Sequence, residues 1–265
     1  MVHRGFAAAV AAAVIGVSVV GCGSGHQPAE SKDGGPTADG KAKGTATSPA
    51  RPHYSGLSEV PERLGKDGTT ITVGDPAAPV AVHLYEDPRC PVCKEFETTG
   101  GAPQLRAATV RRETKTQYTL ASFLDDRLTG AGSEKAVNAL RAALDKGRFA
   151  EYHDVLYAHQ PAESVDGFTD AYLLKLAGRV PGLRGPDFDS AVKTMKYRSF
   201  VTRSEKAYEK AGGAQDPKGP GTPTADINDV RVPAEYNGVL FDGDVFSGLL
   251  AKVRAHPEQW QKPTA

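Results

Sequence analysis

Cysteine is scarce in this 265-residue chain, with three in all. So few exclude a scaffold stapled by disulfides, and the core must hold by burying apolar surface. There is no second cysteine pair to complete a four-thiolate zinc site. No histidine follows the one close pair, where haem attachment needs it, because position 94 is lysine. Charge of one sign is lacking too. The 32 basic and 32 acidic residues cancel, so no global field draws the chain to nucleic acid. Neither an internal repeat nor a glycine fingerprint for a dinucleotide is present, and no cofactor is expected. Tryptophan (one) and methionine (two) are rare, which constrains little.

Between Gly23 and His53 there is no Val, Ile, Leu, Met, Phe, Tyr or Trp. Such a segment cannot offset the entropy of ordering and is expected to be a disordered tether. About 30 flexible residues span on the order of 30 Å. Ahead of it, Arg4 and the small apolar stretch Phe6 to Val20 have the form of an export signal. That stretch is short for a membrane-spanning helix, which needs about 20 apolar residues. Val19-Val20-Gly21-Cys22 resembles the bacterial lipobox. The resemblance implies cleavage before Cys22, lipidation of its sulfur, and a membrane anchor at the extracytoplasmic face. The alternative is an ordinary signal cleaved nearby. The expected organisation is a signal peptide over 1–21, anchor and linker over 22–56, one folded domain over 57–257, and a tail over 258–265.

Within the domain, Ile71 and Val73 read as a short strand. Val80 to Tyr85 reads as a strand buried on both faces, and Gln117 to Leu124 as another. Strand, helix, strand in that order favours a parallel pair. A block of helices follows, about 130–211. Ser133 is a candidate N-cap for the stripe Ala136, Val137, Leu140, Ala143, Leu144, and Phe149, Tyr152, His153, Leu156, Tyr157 repeat the spacing. Thr169 caps a third helix, and Phe188, Val192 and Met195 begin a broken fourth reaching Ala211. Weaker strand signals lie around Ile227 to Val232 and Val239 to Phe241. A last helix carries Val245, Leu249, Leu250 and Val253. The fold class is α/β with a helical insertion.

The chemistry centres on Cys90-Pro91-Val92-Cys93, which closes the buried strand and opens a helix. With Cys90 as helix cap, its sulfur faces unpaired backbone N–H groups and the positive end of the dipole. Pro91 suits the first helical position because its missing N–H costs nothing there. Arg89 and Lys94 add positive charge, while Glu86 and Asp87 oppose it. The balance should lower the Cys90 pKa, making Cys90 the attacking sulfur and Cys93, one turn in, the resolving one. An inert structural disulfide and a zinc site using His153 or His159 are the competing readings. His83 reads as a satisfied core histidine, His153 as a helix packing residue, and Glu86-Asp87 as a solvated turn, with a proton relay near the buried thiol as the alternative for the two acids.

Further on, Thr222-Pro223 precedes a strand. An X–Pro bond adopts cis at a cost of about 0.5–1 kcal/mol, so a turn can hold one beside a disulfide. The preceding backbone is then free to pair with an extended peptide.

Tyr85-Glu86-Asp87-Pro88-Arg89-Cys90-Pro91-Val92-Cys93-Lys94-Glu95-Phe96 resembles the active-site segment of DsbA-like thioredoxin-fold proteins. Gly74 to Val80 resembles their lead-in, Phe149 to Tyr157 a segment of their helical insertion, and Gly221-Thr222-Pro223-Thr224 their cis-proline turn. The match runs from about Thr70 to Arg254. It implies a thioredoxin fold, Cys90 as nucleophile, Cys93 as its partner, and Pro223 in cis beside them, with Pro91, Val92 and Thr222 completing the substrate-facing site. Two departures concern the groove. Ala225 and Asp226 follow the turn where apolar or aromatic residues are usual, and the approach from Gly212 to Pro220 is long and loose. The implied activity is thiol–disulfide exchange with exported protein thiols, with a membrane redox partner to reset the pair. Oxidation is the leading direction. A reductase or isomerase of the same fold, and a non-catalytic lipoprotein binding a peptide or protein, are the rivals.

Overall fold

The computed structural model describes residues 52–260. Cys22, with the expected signal, lies outside them. Six strands form one sheet: β1 (Glu62–Leu64), β2 (Ile71–Gly74), β3 (Val80–Glu86), β4 (Thr114–Leu120), β5 (Thr224–Ile227) and β6 (Val230–Arg231), in the order β1-β2-β4-β3-β5-β6. β3 and β4 run parallel and every other pair is antiparallel. The parallel pair is joined across helices α1 (Pro91–Thr98) and α2 (Ala102–Val110). Val80, Val82 and Leu84 are fully buried, as a central strand covered on both faces requires.

β4 begins at Thr114, not Gln117, and ends at Leu120. Its first half looks too polar for a buried strand. Thr114 and Thr116 are nevertheless buried because their hydroxyls meet that of Thr109 at 2.9 and 3.3 Å. Paired hydroxyls lose little on leaving water, and β-branched threonine suits a strand.

After the short α3 (Leu124–Leu128), the insertion comprises α4 (Gly132–Leu144), α5 (Phe149–Ala158), α6 (Asp170–Ala177), α7 (Pro186–Lys193) and α8 (Arg198–Gly212). The expected stripes on α4 and α5 are buried throughout. Thr169 caps α6, its hydroxyl accepting the Tyr172 N–H at 3.2 Å. The break after α7 falls where Met195 takes φ +50°. Ser133 is not the N-cap of α4. It lies inside the helix, and Asp125 from α3 serves instead, accepting the N–H groups of Ser133 (3.0 Å) and Glu134 (2.8 Å).

Val239–Phe241 is not a strand. It belongs to a 3-10 segment, Ala234–Phe241, in which the Leu240 carbonyl accepts the Gly101 N–H at 2.7 Å instead of joining a ladder. On α9 (Gly243–Ala255) the apolar face is Phe246, Leu250 and Val253, whereas Val245 is half exposed at 52%. Packing extends beyond 57–257 at both ends. The Tyr54 N–H donates to the Val110 carbonyl (3.0 Å), and the Trp260 indole donates to the Ile227 carbonyl (2.7 Å). No helix among the described residues is long and apolar enough to cross a membrane.

Candidate active site

β3 ends at Glu86 and delivers the chain to α1, with Cys90 as N-cap and Pro91 at the first helical position. Both cysteines are free thiols. Cys90 keeps 7% of its surface exposed and Cys93 none. The Thr222–Pro223 bond is cis, and the Cys90 Sγ lies 3.4 Å from the Thr222 carbonyl oxygen, to which it donates. Two segments separated by more than a hundred residues are thus brought together as the motifs require. Pro91 and Val92 are exposed on the same helical turn, and Pro223 is buried beneath.

The loose approach to that turn is in fact held. Tyr208 from α8 lays its ring against Gly219, where any Cβ would collide with it. Gly219 has φ +97°, so glycine is required twice over. The Tyr208 hydroxyl accepts the Gly221 N–H at 3.1 Å, and Phe123 stacks on the ring.

The Cys90 thiol is pulled down to about 6, chiefly by its hydrogen bond with Cys93. The Thr222 hydroxyl and the first-turn N–H groups of Cys93 and Val92 add to this, and burial opposes it. The expected depression is present, but one expected cause is not. Arg89 turns away from the sulfur and is buried, its Nη1 donating to Asp125 Oδ1 (2.7 Å) and the Thr129 carbonyl (3.0 Å), its Nη2 to the Glu163 carbonyl (3.1 Å). Burial and the neighbouring Cys90 push the Cys93 thiol well above the usual range. Alkylation of the reduced protein should therefore rise through a midpoint near pH 6 and level off by about pH 8, where an ordinary thiol is still gaining thiolate. Iodoacetamide rates measured from pH 4 to 9 check this. A midpoint above 8 would contradict it.

Glu86-Asp87 is not a solvated turn, for both residues are fully buried. Asp87 accepts the N–H groups of Arg89 (2.9 Å) and Leu124 (3.1 Å) and the Ser133 hydroxyl (2.5 Å). Burial still raises it to about 7. Glu86 is raised to about 8 by burial. His153 does more than pack, since its Nε2 meets Glu86 Oε2 at 3.1 Å. His83 is hydrogen-bonded as expected but half-buried rather than in the core, its Nε2 2.8 Å from the Thr119 hydroxyl and its ring stacked on Tyr85.

Three residues here have no signature in sequence. Gln160, just past α5, donates from Nε2 to the carbonyls of Pro88 (2.8 Å) and Cys90 (2.9 Å), clamping the corner from the insertion. Glu97 and Arg106 pair within 2.6 Å behind α1. A glutamate one turn past the cysteine pair, followed nine residues later by an arginine, is too common a pattern to have marked them.

Residues 66–239 match the family described as Thioredoxin. Among solved structures, BdbD from Bacillus subtilis is 20% identical, covers 77% of this chain and 100% of its own, and superposes with a TM-score of 0.58. DsbA of Chlamydia trachomatis is 20% identical over 69% of this chain and 91% of its own, TM-score 0.56. MdbA of Corynebacterium diphtheriae, a thiol-disulfide oxidoreductase, is 19% identical over 71% and 94%, TM-score 0.52. A relative in sequence, the Na(+)/H(+) antiporter NhaA 3 of Salinispora tropica, is 29% identical over 194 residues, which are 72% of this chain. This chain spans about a quarter of that protein's length, 26%. With a family match over most of its domain and this shared architecture, the chain belongs to the thioredoxin family and has the DsbA-like form of its fold.

Proposed function

We propose that this protein is an exported, lipid-anchored thiol–disulfide oxidoreductase that forms disulfides in other exported proteins through Cys90 and Cys93. The observation that carries the reading is the asymmetry of the pair. Cys90 keeps a small exposed fraction, 7%, and its pKa is drawn down to about 6, whereas Cys93 is fully buried with its pKa raised.

In the oxidised enzyme, a substrate thiolate attacks Sγ of Cys90. The Cys90–Cys93 bond breaks, its electron pair goes to Cys93, and Cys93 takes up a proton. The substrate's second thiolate then attacks the substrate sulfur of the mixed disulfide and expels Cys90. Two electrons pass from substrate to enzyme. A thiol of low pKa leaves fast, so the acidified Cys90 favours this direction. A membrane redox partner would accept the electrons and close the cycle. The extended substrate lies along the Thr222 backbone, with Pro91 and Val92 bordering it. Anchoring through Cys22 keeps the domain near the membrane, in keeping with its likeness to a segment of an antiporter.

The test is the midpoint of the Cys90–Cys93 couple against glutathione. A value close to the about −120 mV of DsbA supports the oxidase, and one close to the about −270 mV of thioredoxin turns the assignment to a reductase.

A further inference from the structure

Where β3, α1 and α5 meet, three buried side chains converge from three elements. They are Glu86 from the end of β3, Glu97 from α1 and His153 from α5, each at most 2% exposed. One ligand-type atom from each lies within 4.8 Å of the other two. We propose that Glu86, Glu97 and His153 form a binding site for a divalent transition-metal ion of the zinc type.

Charge is the first argument. Arg106 is the one guanidinium in the group, bonded to Glu97 Oε2 (2.6 Å), the Glu97 carbonyl (2.9 Å) and Asp154 (3.0 Å). Asp154 is 46% exposed and lies at the surface, so buried Glu86 and Glu97, ionised against Arg106, leave one negative charge in the interior, which either a bound cation or a proton shared by the two carboxylates offsets. Unsatisfied atoms are the second argument. Glu86 Oε1, Glu97 Oε1 and the Tyr157 hydroxyl are buried with no hydrogen-bond partner among the described residues. Tyr157 packs its ring 4.9 Å from that of His153. Buried acceptors of this kind cost free energy unless something binds them. The donor set is the third. One imidazole and two carboxylates suit zinc, whose bonds to nitrogen and oxygen are about 2.0–2.2 Å. Ligands at tetrahedral angles on such an ion stand about 3.3–3.6 Å apart, so closure needs a shift of at most about 1.5 Å. Arg106 already fixes the second oxygen of Glu97, as outer partners of metal carboxylates do. The site uses neither cysteine and does not depend on the redox reading.

Because the ligands are buried, the metal is loaded during folding. The full chain, unfolded in denaturant with chelator and then freed of both, is refolded with one equivalent of zinc chloride, desalted and assayed by mass spectrometry of the metal. The expected result is about one zinc per chain, both in the wild type and in a Cys90→Ser/Cys93→Ser variant. Glu86→Gln and Glu97→Gln should each retain at least about tenfold less. These near-isosteric changes remove buried charge, and circular dichroism verifies their folding. Cobalt(II) loaded in the same way into the wild type should give a nitrogen–oxygen spectrum with no thiolate charge-transfer band, a readout that needs no variant. The proposal is overturned if the wild type retains under a tenth of an equivalent, if the cysteine variant loses the metal, if folded Gln variants keep it, or if cobalt reports sulfur ligation. A shared proton between the two carboxylates is then what fills the gap.

Discussion

Replacing Cys90 with serine should remove thiol–disulfide exchange almost completely, a loss on the order of 10³-fold or more in insulin reduction or peptide oxidation. A hydroxyl neither forms the disulfide nor leaves from it. The only other sulfur in the site has no exposed surface, so no second nucleophile can take over. Cys93→Ser should behave differently. It leaves the acidified thiol in place but removes the group that resolves the intermediate, so mixed disulfides between Cys90 and substrate should accumulate on a non-reducing gel. If Cys90→Ser kept its activity while Cys93→Ser lost all reactivity, the roles would be reversed. If the Cys90→Ser protein still served its biological role undiminished, the protein would instead be a peptide-binding lipoprotein.

The second large effect is on stability. Asp125 is buried, pairs with buried Arg89 at 2.7 Å, and caps α4 through two backbone N–H groups. Asp125→Ala strands a guanidinium away from water and removes a helix cap. Breaking one side of a buried pair costs about 3–5 kcal/mol, and the melting midpoint should fall by about 10 °C for a domain of this size. Urea unfolding of the two proteins measures it. A difference below about 1 kcal/mol would show that Arg89 finds water or another acceptor when its partner goes. The pair is isolated from the thiol chemistry by the turn of Arg89 away from Cys90, so the folded fraction of this variant should keep its low alkylation midpoint.

What the sequence made legible was local or strongly patterned. Cysteines two residues apart with a proline between them announce a helix start. Stripes such as Phe149, Tyr152, His153, Leu156 and Tyr157 announce a buried face. Thr222-Pro223 acquires meaning from its order relative to the pair. Partnerships across the chain were hidden. Glu86-Asp87-Pro88-Arg89 has the composition of a solvated turn, and only Ser133, Leu124, Asp125 and His153 arriving from later in the chain make burial of those charges tolerable. The same holds for β4, where threonine hydroxyls satisfy one another, and for Val239 to Phe241, whose strand-like residues have no neighbouring edge to join. The buried face of α9 is offset by one residue from the expected one because Phe246, next to Val245, dominates the burial.

Gln160 carries a mechanical corollary. One carboxamide holds the oxygens on both sides of Arg89, and it stands at the far end of a helix that belongs to the insertion. The bend that aims the sulfur is thus tied to the helical insertion as well as to the strand that leads into it. Tilting α5 tugs on the carbonyl of Cys90 itself, so anything that grips the outer helices has a lever on how that sulfur is presented.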